Sequence, residues 1–239
     1  MSSTGRSEGL HHDPRLPLPI TLRVHPRARR LKLRFDETGQ RLLLTCPPRS
    51  SRRAALDWAA SQRAWVEARL VEAEPAQPLE PGAIIQLEGR DIRLAWLDGG
   101  PRLVSLSGDV LACGGPRDAF PRRIEAWLRA HARRTLSADT AEAAQRAGVT
   151  VRRVTIGDAG TRWGSCSASG SIRYNWRLVL APPDVRRWVV AHEVAHRVHM
   201  NHGAAFKLLE AQLFDGDGEA ARSLLRRVGP RLKRIGRSL

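Results

Sequence analysis

Residues 192–196 read His-Glu-Val-Ala-His, and histidines recur at 199 and 202, so four of the chain's eight histidines fall within eleven positions. On a helix, residues four apart lie about 6 Å apart along the axis and about 40° apart around it. His192 and His196 would therefore present two imidazoles to one ion, and zinc accepts such nitrogens at about 2.0–2.1 Å. Glu193 would sit about 100° round the helix from His192. It could reach an activated water without being a ligand. A Lewis acid beside a carboxylate base is what the metal-assisted attack of water on a carbonyl requires. Two neighbouring histidines on a buried helix face also need partners, and a shared ion supplies them.

A catalytic zinc takes three protein ligands and keeps one open position. His202 is the first choice for the third, if Asn201 ends the helix in a left-handed conformation and turns the chain back. Glu210 on the following helix and His199 on the same face are the alternatives. The H-E-x-x-H…H spacing equals that of metzincins, which also need a methionine turn after the third ligand. None follows Met200, which argues against a metzincin.

The helix that carries these residues opens at Pro182-Pro183-Asp184, where proline suits a first turn. Before it, strand-like alternation runs through 150–156 and then a hairpin with Ser167–Gly170 at its tip. The second strand of that hairpin alternates Ile172, Tyr174, Trp176 and Leu178 against Arg173, Asn175 and Arg177. Trp163, Trp176 and Tyr174 are read as core. Cys166 has no feature that would activate a nucleophile. The hairpin could offer an edge strand to an extended substrate.

Further out, strands are expected over 19–46, with a turn at Glu37-Thr38-Gly39, and a helix over 51–73. Short strands follow over 83–113. A long helix spans 117–147, with a second cap near Ser137. Two helices fill 203–214 and 217–235. No sequence repeat is evident. The expected organisation is a polar, mobile tail over 1–17, with His11 and His12 solvated in it, a strand-rich region over 18–115 and a catalytic part over 116–239.

Forty Lys and Arg against 24 Asp and Glu give a formal charge of +16, and only Lys32, Lys207 and Lys233 are lysine. Such a charge suits DNA or another polyanion as a partner and equally a basic, solvated surface. The last fourteen residues hold six basic ones, a block that could grip phosphates. No apolar run approaches the roughly 20 residues of a bilayer span, so no membrane partner is expected, and no signal peptide is evident. Three separated cysteines without a CxxC fit a reducing cytoplasm. Nothing in the sequence sets the oligomeric state.

The stretch TRWGSCSASGSIRYNWRLVLAPPDVRRWVVAHEVAHRVHMNHGAAF, residues 161–206, resembles the YgjP-like metallopeptidases. The carrying motifs are Trp-Gly-Ser-Cys, the Asn-Trp-Arg-Leu strand, Ala-Pro, H-E-x-x-H and Asn-His. Weaker similarity in element order extends over most of 20–235. That family is related to SprT-like zinc proteases, some of which cut DNA–protein crosslinks. The resemblance implies one Zn2+ per chain held by His192, His196 and His202, with Glu193 as the catalytic base. His199 and Gly203 depart from the usual pattern without touching a ligand. The expected fold is α+β, a strand-rich N-terminal part followed by a zincin-like domain with an HExxH helix. The expected function is zinc-dependent hydrolysis of peptide or protein substrates. The alternatives are a protease acting on DNA-bound proteins and a non-catalytic zinc-binding protein.

Overall fold

The computed structural model describes residues 7–36, 41–72, 77–160 and 162–237. The expected turn at Glu37-Thr38-Gly39 lies outside them. The chain is mixed α and β, with eleven strands and six helices among the described residues. It divides into two compact units, 1–75 and 76–239.

In the first unit, β1 (Ser7–His11), β2 (Ile20–Val24), β3 (Lys32–Asp36) and β4 (Arg41–Cys46) form a sheet in the order β1-β2-β4-β3. Ile20, Leu22, Leu42, Leu44 and Cys46 alternate inward and pack on Ala55, Ala59 and Val66 of α1 (Arg52–Ser61) and α2 (Arg63–Glu72). The single helix expected over 51–73 is thus two, divided at Gln62. The expected tail is also partly ordered. Backbone pairing needs no apolar pattern, and β1 pairs antiparallel with β2. Leu16 is buried in the core, and His11 accepts a hydrogen bond from Arg52.

The second unit begins well before residue 116, because its first strands share a core with the long helix. β5 (Ile84–Leu87), β6 (Arg90–Trp96), β7 (Ser105–Ser107) and β8 (Val110–Cys113) form a sheet in the order β5-β6-β8-β7. Leu94, Leu111 and Cys113 from this sheet join Phe120, Ile124, Leu128, Ala132 and Leu136 of α3 (Phe120–Arg146) in one buried cluster. That helix runs unbroken through Ser137, whose potential as a cap is overridden by this continuous apolar stripe. The two four-stranded sheets have the same plan, an inner parallel pair flanked by antiparallel edges. The sequence showed no repeat, but the topology does.

A three-stranded sheet follows, in the order β10-β11-β9, from β9 (Arg153–Gly157), β10 (Gly164–Cys166) and β11 (Ser171–Asn175). The hairpin turn closes at Ser167–Gly170 as expected, with Gly170 at a φ of 86°. The alternation stops earlier than expected. After Asn175 the chain tightens into a short 3-10 segment, Trp176–Leu180. Arg177, expected on the outer face, is instead buried and donates to the Ile235 carbonyl.

Helix α4 (Pro183–Ala195) packs against β10, α3, α5 (Ala204–Phe214) and α6 (Gly218–Arg234). Val185, Val189, Val190 and Val194 bury it. Near its start, the buried Arg186 donates to Asp139 of α3 at 2.8 Å and lies 3.2 Å from Glu88 in the β5–β6 turn. Among the described residues, no helix is long and apolar enough to cross a membrane.

Candidate metal centre

The last turn of α4 carries His192, Glu193 and, at its C-cap, His196. The helix ends here, sooner than the expected end at Asn201. The N–H groups of Val198 and His199 both bond to the Ala195 carbonyl and curl the chain out of the helix. Asn201 is not left-handed; its side-chain oxygen accepts from the Gly203 N–H at 3.3 Å instead. This turn brings His202 back over the helix end. One nitrogen from each of His192, His196 and His202 lies within 4.8 Å of the other two. The Nε2 atoms of His192 and His202 are 3.3 Å apart. Two ligands of a tetrahedral zinc lie about 3.3–3.4 Å apart, given bonds of about 2.0–2.1 Å.

The second nitrogens of the helical pair are already used. His192 Nδ1 is 2.6 Å from Glu210 Oε1, and His196 Nδ1 is 3.0 Å from the His199 carbonyl. Donation of Nδ1–H to those acceptors leaves the Nε2 lone pairs directed away from them. This is the usual support of a metal-ligating histidine. Both alternatives for the third ligand lie behind the helical pair: Glu210 is hydrogen-bonded to His192, and His199 contributes its backbone carbonyl to His196. Phe206, from α5, closes the floor, with its ring centroid 4.6–5.1 Å from those of the three imidazoles. Burial holds the His196 imidazole below its ordinary value. A neutral ring is the form that can ligate a metal. The donor set thus fits a divalent metal with nitrogen preference.

Glu193 is buried, on the flank of α4 that meets β10. Burial pushes its carboxyl up to about 7, against the electrostatic pull of His192 and Arg162 and a hydrogen bond from the Cys166 backbone. The close approach depends on Gly164: a Cβ there would stand 2.4 Å from Glu193 Oε1. The Trp-Gly-Ser-Cys stretch is therefore the wall against which the carboxylate rests. A cleft of about 320 Å³ opens between them, lined by Gly164, Ser165, Cys166, His192, Glu193, His196 and Met200.

The other residues singled out are structural. Trp163 packs beside Gly229 and under Lys233, and Tyr174 is buried with its hydroxyl 3.1 Å from Thr140 Oγ1. Burial pushes the Cys166 thiol up, away from nucleophilic use. Sequence reasoning missed Gly164 as a support of the site and placed Glu210 only among the candidate ligands. The signal for Gly164 was a glycine at the start of a short strand, and for Glu210 the one acid on its helix.

The model of the family described as YgjP-like, metallopeptidase domain, matches residues 29–227. The chain belongs to the YgjP-like metallopeptidase family. The match of this YgjP-like chain spans both compact units and includes every residue of the centre. No curated protein matches it. A solved structure, the metallopeptidase zymogen of Pyrococcus abyssi abylysin, is 19% identical, with a TM-score of 0.36 over 42% of this chain and 97% of that one. At that level the likeness carries no argument.

Proposed function

We propose that this metallopeptidase is a zinc enzyme that hydrolyses peptide bonds with His192, His196 and His202 as ligands and Glu193 as general base. The observation that carries the reading is the convergence of three imidazoles beside a buried, desolvated carboxylate. Zinc, when bound, supplies Lewis acidity, which makes water a better nucleophile and polarises the scissile carbonyl. Glu210 and the His199 carbonyl keep the His192 and His196 rings in one tautomer and orientation. Glu193, held against Gly164, takes a proton from the attacking water and returns it to the leaving amine. Its carboxyl near 7 in the free protein would fall toward the ionised form beside a cation, ready to accept that proton.

The open edge of β10 lies beside Glu193 and suits an extended peptide, which would add a strand there. The three free cysteines, two of them buried, fit a reducing compartment such as the cytoplasm. The reading as a protease of DNA-bound proteins rests on net charge. The basic C-terminal block does not strengthen it, because much of it serves the fold: Lys233 donates to the Gly160 carbonyl, Arg237 pairs with Asp158 and Arg234 is buried.

Purified protein should carry close to one zinc per chain. His202→Ala should lose most of it and His199→Ala should keep it, as measured by metal analysis after dialysis. Full zinc in His202→Ala and in His192→Ala would reject the centre.

A further inference from the structure

The hairpin beside the metal centre has two faces. Gly164 pairs across with Tyr174, Cys166 with Ile172 and Ser165 with Arg173. The Gly164 position abuts Glu193, and Tyr174 and Ile172 are buried, so that face is inward. Ser165 and Arg173 consequently project from the outer face. There a cavity of about 410 Å³ has Arg162, Trp163, Ser165, Arg173 and Asn175 among its walls. Ser165 also lines the cleft that holds Glu193, so the two spaces adjoin across the edge strand.

This cavity has two guanidinium groups and no carboxylate in its lining. Among the described residues, neither Arg162 nor Arg173 is hydrogen-bonded to or ion-paired with another side chain, although the Arg162 charge is felt by Glu193. Arg173 is solvent-exposed and leans toward β9. It lies flat on Gly157, where a Cβ would stand 2.3 Å from its Nε and 2.8 Å from its Cζ. A planar guanidinium can receive a carboxylate through two parallel hydrogen bonds.

An extended peptide paired along β10 would alternate its side chains between the two faces of the sheet. Residues on the inner face would meet the metal centre, and their neighbours would lie over Ser165, at the rim of the cavity that the two arginines line. We propose that Arg162 and Arg173 form a carboxylate subsite that selects substrates carrying an acidic group beside the scissile bond. This rests on the peptidase reading above and names a substrate class for it. The carboxylate could belong to an Asp or Glu side chain or to the end of the substrate chain. The +16 charge of the chain would draw such substrates in.

Two measurements on the full-length, zinc-loaded protein separate the subsite from the peptidase reading. In the first, a mixed peptide library is digested and the cuts are read by mass spectrometry. Cuts that vanish in Glu193→Gln uphold the peptidase, whatever their sequence. Enrichment of Asp and Glu beside those cuts, lost in the Arg162→Gln, Arg173→Gln double variant and kept in Arg173→Lys, supports the subsite. Cuts without that enrichment, or with enrichment unchanged in the double variant, overturn it while the peptidase stands.

The second measurement is binding of fluorescent peptides to Glu193→Gln protein, which needs no turnover. A peptide amidated at its C-terminus with internal Glu should bind about 1.5–5-fold tighter than its Gln counterpart at low salt, the range for exposed charge pairs. The double variant should show no such difference. A preference found only for peptides with a free C-terminus, and again lost in the double variant, assigns the carboxylate to the chain end. Equal binding of Glu and Gln peptides, or no binding of either, overturns the subsite. Arginine-dependent binding of single-stranded DNA without Glu/Gln discrimination overturns it in favour of a phosphate backbone.

Discussion

Gly164 is the residue whose replacement separates metal binding from catalysis most cleanly. Its missing side chain lets Glu193 lie against β10, with no role in holding the imidazoles. Gly164→Ala should keep its zinc and lose about 10–100-fold in kcat/KM, since displacement of a reacting group by about an ångström costs that much. Unchanged hydrolysis would show that the carboxylate tolerates the shift. Glu193 also predicts a pH effect. Its folded carboxyl stands near 7 against an ordinary 4.5, so it favours the folded state when protonated. That contribution is present below pH 4.5 and is lost as pH rises through 7. In metal-free protein, Glu193→Gln should therefore gain stability relative to wild type across that window, as read by urea denaturation at several pH values. A constant difference would mean that Glu193 titrates normally. At this scale the sequence was highly legible for groups close together in the chain. His192, Glu193, His196 and His202 are local, whereas Gly164 and Glu210 act through contacts 29 and 18 residues from their partners, which periodicity cannot reveal.

The elements position the site through α4. Its start was readable from Pro182 and Pro183, but its end was not, because the bonds to the Ala195 carbonyl and the Asn201–Gly203 contact are decided by where His202 must return. The strand before it misled for a related reason. Its alternation continues on paper through Arg177, yet the chain turns at Asn175, whose side chain caps the Arg177 N–H. Arg186 was also unmarked in the sequence, though it ties α4 to α3. Asp139→Ala should cost about 1–3 kcal/mol, less than the loss of a fully buried partner because Glu88 still faces Arg186. Urea denaturation would measure it, and a change under about 0.5 kcal/mol would mean that the pair contributes nothing net.

At the scale of the whole molecule, the sequence reading found an α+β chain with the histidine cluster in its C-terminal part. It divided the chain too late, because turns and polar loops between β5 and β8 look like a separate strand-rich region. The division follows the core, and Leu94, Leu111 and Cys113 share theirs with α3. The repeated sheet plan was invisible for the opposite reason, since pairing order leaves almost no trace in composition. The chain's membership of a metallopeptidase family and its histidine centre leave one claim above the others to test, that Glu193 is the base of a zinc-dependent peptidase. Glu193→Gln preserves size and hydrogen bonding and removes the base. With a substrate cut by the wild type, the variant should keep close to one zinc per chain and lose about 10²–10⁴-fold in kcat. Equal cleavage by both proteins, each with full zinc, would contradict the account.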